Sequence, residues 1–245
     1  MMHLANLTWM HPNQTLGKLW IPALISIVFA GFGRVVRGVT TSGAGAGALV
    51  CFALLVGAGW RGFVALFVVF LLTWAATRFG YARKQSLGTA EPRAGRNASQ
   101  VFANLGVATI SALIYAIARQ DPRLLIATAA ALAEAAADTV SSEIGQAVGG
   151  SPRLITNWKP VPAGTDGAIT LAGSAAGLAA AIAVSLTGAI GFGWRSVPIC
   201  AAAATLGLIA DSFLGATLER RGFLGNNAVN FSSTAIAALV AFAMS

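Results

Sequence analysis

The sequence predicts an all-α fold: a polytopic bundle of seven or eight membrane helices with a polar site at its cytoplasmic face, forming one integral membrane domain over residues 1–245. Three observations predict it. Hydrophobic residues make up 56% of the chain and charged residues only 10%, where a soluble domain carries about 25% charged residues. A single aqueous core cannot hide that much apolar surface. Apolar runs also recur along the whole chain at close to the length of about 20 residues that a crossing helix needs. Finally, three of the 8 acidic residues, Glu134, Asp138 and Glu143, fall within ten positions of one such run. A carboxylate in hydrocarbon costs a few kcal/mol or more and by default marks a functional site.

In chain order, the apolar runs lie at about 19–33, 44–60, 62–77, 99–118, 122–149, 167–191, 197–218 and 228–244. The first is short, with Pro22 near its start. The second opens on Ser42-Gly-Ala-Gly-Ala-Gly47, and the sixth contains Gly173-x-x-x-Gly177. Small residues at these spacings predict close helix packing. Cys51 and Cys200 both sit in apolar runs, which argues against a disulfide framework or a cysteine-rich metal site. No cleavable signal is evident ahead of the first run. His3 and His11 carry no assignment. A net charge of +8 would suggest nucleic acid as partner of a soluble protein. Here it reads as loop charge that orients helices, and no nucleic-acid partner is expected.

Basic residues divide unequally between the two sets of loops. Those following runs 1, 3, 5 and 7 hold eleven, among them Arg34, Arg37, Arg78, Arg83, Lys84, Arg93 and Arg96; the opposite set holds five, Lys18, Arg61, Arg119, Arg123 and Arg195. This bias predicts a multi-pass protein of the cell (inner) membrane with the first set in the cytoplasm and both termini outside. Asp138, Glu143, Asp211, Asn104 and Asn230 then all fall toward the cytoplasmic ends of their runs, although none entered the charge count.

Within run 5, Glu134 and Asp138 share a helix face. Glu143 is five residues from Asp138 and points away, so either the helix unwinds near Ser141-Ser142 or Glu143 serves another gap. Unwinding is the expectation, since broken helices are tolerated where they line a polar cavity. Ala137-Asp138-Thr139 is echoed by Ala210-Asp211-Ser212, and Asp211, Gly215 and Glu219 follow at four-residue spacing. Two carboxylate helices meeting at one depth can hold Mg²⁺. The candidate metal ligands are Glu134, Asp138, Glu143 and Asp211.

Three loops could bind phosphate. The first mixes Arg78, Arg83, Lys84, Arg93, Arg96 and Asn97 with Gly and Pro, and Arg96-Asn97 beside the next helix suits a phosphate contact. The second runs from Thr156 through Lys159 to Gly164-Thr165-Asp166-Gly167, a turn expected at a helix N-terminus, where free N–H groups attract anions and where Asp166 could equally be a cap. The third is Gly225-Asn226-Asn227-Ala-Val-Asn230. No Walker lysine motif, Gly-x-Gly-x-x-Gly after a strand or zinc-ligand spacing is present.

From about Arg78 to Phe231 the chain resembles the integral membrane proteins once filed as domain of unknown function 92, a family that includes the plant phytyl-phosphate kinase of tocopherol synthesis and animal transmembrane protein 19. The resemblance rests on Gly95-Arg96-Asn97 with Gln100 to Asn104, on Ala137-Asp138-Thr139 with Ser142-Glu143-Ile-Gly145, on Pro152 to Lys159 with Val161 to Gly167, on Asp211-Ser-Phe-Leu-Gly215, and on Asn227-x-Val-Asn230-Phe231. Leu105 departs from the pattern, which often has glycine there. The Asp-Thr-x-Ser-x-x-x-Gly stretch is also similar to the carboxylate motif of CTP-using membrane enzymes.

These resemblances imply an isoprenyl (phytyl or geranylgeranyl type) monophosphate kinase that uses a nucleoside triphosphate, CTP being favoured, with Mg²⁺. The substrates are the partners, membrane lipid surrounds the protein, and an oligomer is compatible with the sequence. Asp138, Glu143 and Asp211 would hold the metal, and Lys159 and Arg96 would neutralise the transferred phosphoryl group. A CDP-lipid-forming cytidylyltransferase and a cation- or proton-coupled transporter are the alternatives.

Overall fold

The structure is a computed structural model that describes residues 19–117 and 121–245. His3, His11, Lys18 and Arg119 lie outside the described residues. Among the described residues the architecture is all-helical apart from one pair of two-residue strands. Its elements are α1 (Trp20–Val35), α2 (Thr41–Arg78), α3 (Tyr81–Ser86), α4 (Ala98–Ile117), α5 (Pro122–Val148), β1 (Arg153–Leu154), β2 (Ala168–Ile169), α6 (Leu171–Phe192), α7 (Ser196–Leu214) and α8 (Asn226–Met244). A π-helical turn, Gly215–Glu219, extends α7. Six of the helices are long and apolar enough to cross a membrane, and α1 is a shorter apolar helix. The runs read from the sequence match these elements to within a few residues.

The 38-residue α2 contains two of those runs. Gly59 breaks it, with φ 66° and ψ −155°, a conformation essentially restricted to glycine. A straight helix would carry Trp74 about 50 Å from Thr41. Yet the Val36 carbonyl, five residues before α2, accepts hydrogen bonds from Trp74 Nε1 and Arg78. The two arms of α2 therefore fold back on each other about Gly59.

The bundle closes around α5, which is far more deeply buried than the other five membrane-length helices. Alanine makes this possible. Ala130, Ala131, Ala133, Ala136 and Ala137 are all fully buried, and such small side chains let neighbouring backbones approach. Glycine serves the same end where helices cross. A Cβ on Gly173 would sit 3.2 Å from Gly145 Cα, and one on Gly177 would sit 2.9 Å from the Ala137 carbonyl oxygen, so α6 lies directly on α5. The expectation of close packing holds at Gly43, whose missing Cβ admits the Arg96 carbonyl, but not at Gly45 and Gly47, which face open space.

Gly57 offers a quantitative check. A Cβ there would run into the Ala112 carbonyl of α4 and lie 2.9 Å from Ala112 Cβ. Overpacking of this kind costs about 1–3 kcal/mol. Gly57→Ala is expected to lower the melting temperature of the detergent-solubilised protein, whereas Gly45→Ala, with nothing within 4 Å, leaves it unchanged or raises it.

Candidate functional site

Asp138 on α5 and Asp211 on α7 bring their carboxyl groups together across the helix interface. Glu134 lies one turn deeper on α5 and is 1% exposed. The close approach depends on Gly207 of α7, where a Cβ would stand 2.6 Å from Glu134 Cγ. Ser233 of α8 borders both Glu134 and Asp211; its hydroxyl donates to the Asn230 carbonyl at 3.0 Å. One oxygen of each acid, Glu134 Oε1 and Asp211 Oδ1, is buried without a hydrogen-bond partner. Buried polar atoms are normally satisfied, so the cluster has unused acceptor capacity. Sequence reasoning missed Ser233; the signal for it was Ser232-Ser233-Thr234 in the middle of α8, between its asparagine-rich first turns and its apolar second half.

Arg96 completes the arrangement from the other side. Its side chain donates to Thr139 Oγ1 at 3.1 Å, and its positive charge acts on Asp138. The backbone fixes its place: Arg96 N–H donates to the Gly38 carbonyl at 3.1 Å, and Thr40 N–H donates to the Arg96 carbonyl at 2.9 Å. Asn230 of α8 donates to Asn104 Oδ1 of α4 at 3.3 Å, tying two more helices to the same end of the bundle.

Arg96, Asn104, Asp138, Thr139, Asp211 and Asn230 line a polar cleft of about 380 Å³, whose wall also includes Glu143, Gly164, Thr165, Asp166, Glu219 and Asn226. The strand pair carries the Gly164–Gly167 turn over the cleft. Leu154 pairs with Ala168, and Gly167 packs where a Cβ would collide with the Ser212 carbonyl and the Ala216 amide. The cleft thus brings together Arg96, Asn104, Asp138, Glu143, Gly164, Thr165, Asp166, Asp211 and Asn230 from the residues singled out in the sequence.

Several expectations need correction. α5 is one continuous helix from Pro122 to Val148, so it does not unwind near Ser141. Glu143 therefore points away from Asp138, as a five-residue step on a helix requires, and serves the gap toward α2 and α3. Thr77 donates to its Oε1 at 3.0 Å, and the fully buried Lys84 pairs with its Oε2. Lys84, read from sequence as loop charge, is an internal ion-pair partner. Among the described residues no three Asp, Glu, His or Cys side chains are grouped to hold a metal ion. The four-residue ligand set contracts to the Asp138–Asp211 pair, because Glu143 is engaged elsewhere and Glu134 lies deeper. Glu219 reaches the cleft through a π-helical turn instead of the regular four-residue spacing.

The Gly164–Gly167 turn does not open a helix either. α6 starts at Leu171, capped by Thr170, whose side chain accepts from Gly173 N–H; Asp166 is not that cap. Lys159 and Thr156 are exposed and off the cleft wall, since the turn at Asn157-Trp158 directs them outward. Arg78 faces a neighbouring apolar cavity. The Asn97 side chain accepts from Gln100 N–H at 3.1 Å and so caps α4. Asn227 donates to Ser99 Oγ at 3.2 Å, leaving Asn226 to line the cleft.

Comparison with known proteins places the chain among membrane proteins. An uncharacterized membrane protein of Methanocaldococcus jannaschii is 33% identical over 93% of this chain and 94% of its own length. One from Synechocystis is 36% identical over 75% of this chain and 73% of its own. Protein VTE6, chloroplastic, of Arabidopsis thaliana is 29% identical over 94% of this chain and 73% of its own. No solved structure matches. The family model described as integral membrane protein DUF92 matches residues 24–238, and the chain belongs to that family.

Proposed function

We propose that the protein is a membrane-embedded isoprenyl monophosphate kinase, transferring a phosphoryl group from a nucleoside triphosphate, CTP in our reading, to a phytyl- or geranylgeranyl-type monophosphate. The observation that carries this reading is the pair of facing carboxylates, Asp138 and Asp211, with unpartnered buried oxygen beside them and Arg96 on the same polar cleft. Facing carboxylates cannot both stay ionised without a proton or a cation between them. Mg²⁺ suits the site because it takes one or two carboxylates and fills its remaining positions with water and substrate phosphate. Asp138 and Asp211 would hold it, and when bound it supplies charge neutralisation on the nucleotide phosphates. The family resemblance of the sequence supports the substrate class.

The remaining chemistry falls to the chain itself. An acceptor phosphate oxygen attacks the γ-phosphorus, the bond to the bridging oxygen breaks, and a nucleoside diphosphate leaves. The acceptor is already anionic, so no general base is needed. Arg96 meets the charge on the transferred group with a forked donor, and the Gly164–Gly167 turn walls the same cleft. Such catalysis is mostly positioning and electrostatics. The basic loops at this end of the bundle support a cytoplasmic placement of the cleft.

The test supplies purified protein with labelled CTP or ATP, Mg²⁺ and phytyl or geranylgeranyl phosphate. The expected product is the isoprenyl diphosphate; absence of product with every pairing sinks the reading. Arg96→Ala is expected to lower kcat by about 10²–10³-fold, the size of losing one preorganised donor. Arg96→Lys recovers only part, because an ammonium group cannot fork.

A further inference from the structure

Beside the polar cleft lies a second cavity of about 370 Å³. Its shaft is apolar, formed by α1, both arms of α2, and α4, with Phe70 along its wall near Gly38 and Phe29 and Leu66 farther from the mouth. Its mouth holds four arginines, Arg37, Arg78, Arg93 and Arg96, with Glu91 as the acid among its lining residues. Two of the guanidinium groups are held by aromatic rings, Arg78 over Trp74 at 5.2 Å and Arg93 over Tyr81 at 5.4 Å. None of the four forms a salt bridge among the described residues. Arg37 takes φ 55°, a left-handed position where glycine is the usual occupant. Arg96, Gln100 and Asn104 belong to both cavities, so the basic mouth opens onto the carboxylate cleft.

A positive rim above an apolar shaft matches one ligand shape: a single-chain lipid with an anionic head. We propose that this cavity seats the acceptor, its phosphate among the four arginines and its chain running between α1 and the arms of α2, with the space at Gly47 setting the longest chain that fits. The inference deepens the kinase reading and rests on it for the identity of the head group. Arg96 then stands at the wall shared by acceptor and donor. Gly47 lines the shaft and nothing lies within 4 Å of where its Cβ would stand. A larger side chain there would occupy the shaft without meeting backbone.

The test is photo-crosslinking of the full-length protein in nanodiscs with a geranylgeranyl phosphate analogue bearing a diazirine at the tail end, without nucleotide. Adducts are expected on Phe29 or Leu66. Unlabelled geranylgeranyl phosphate should compete, and geranylgeraniol, which lacks the charge, should not. Competition by two-chain phosphatidate as strong as that by the single-chain phosphate would overturn the single-chain assignment. Gly47→Leu should cut labelling at least tenfold and should weaken the competition by geranylgeranyl phosphate more than that by the shorter geranyl phosphate. Gly45→Leu, one residue outside the shaft, should change neither. Ala30→Phe fills the same space from α1 and should reproduce Gly47→Leu. Adducts confined to the lipid-facing surface, or labelling indifferent to both filling variants, would overturn the proposal even if the enzyme turns over. Adducts in the shaft without diphosphate formation would keep the lipid site and discard the kinase.

Discussion

Asp138→Asn is expected to abolish diphosphate formation, by about a thousandfold or more, while leaving the protein folded. The substitution preserves the shape of the side chain and removes one of two charges that face each other in the bundle. Loss of a single preorganised electrostatic contact costs about 10²–10³-fold. Asp138 interacts with the proposed cation and also with Arg96, so its loss reaches both sides of the reacting group. A neutral amide of the same shape keeps the packing and removes the cost of burying a charge, so stability should not fall. The prediction is therefore specific: a melting temperature equal to or above wild type, together with a collapse in kcat in a single-turnover assay. Asp211→Asn should behave in the same way, and the double variant should be little worse than either, because the two act as a unit. Retained activity in Asp138→Asn would remove this residue from the mechanism.

Lys84→Met carries the largest expected effect on stability. Lys84 is fully buried. Its ammonium donates to the Ala76 and Thr77 carbonyls at 3.0 and 2.8 Å and pairs with Glu143. It thereby satisfies the last carbonyls of α2, where the helix dipole favours a cation, and neutralises an acid that α5 carries into the interior. Methionine fills much of the volume but leaves Glu143 charged and unpaired. Breaking a buried pair on one side costs about 3–5 kcal/mol. Lys84→Met should lower the melting temperature markedly, and Lys84→Met with Glu143→Gln should recover a large part of the loss. An additive double variant would show that the two residues do not act as a pair.

Much of this molecule could be read from its sequence, for a physical reason. In a bilayer, helix-forming runs are set by solvent and length, so hydropathy alone located the membrane-length helices among the described residues. It also separated the two arms of α2, which join at Gly59 without an intervening loop. The acids were legible because charge is scarce here and expensive. Asp138 and Asp211 share a local pattern, Ala-Asp-[Ser/Thr], and lie at the same depth.

What escaped the sequence was pairing between distant segments. Lys84 and Glu143 are 59 residues apart, and nothing in the pattern around Lys84 separates a buried ammonium from ordinary loop charge. The same limit hid the real fate of Glu143, whose helical phase already pointed away from Asp138. The Gly164–Gly167 turn looked like a helix start because glycine and aspartate are common there. The short strand pair that separates it from α6 has too few residues to show a period. Lys159 is carried outward by the same loop.

The most direct test is to measure Mn²⁺ binding by electron paramagnetic resonance, using Mn²⁺ as the spectroscopic substitute for Mg²⁺, on the purified protein with and without CTP. The account predicts a bound Mn²⁺ signal that CTP strengthens and that Asp138→Asn and Asp211→Asn each eliminate. A bound signal unchanged in both variants, or none at all in wild type with CTP present, would contradict it.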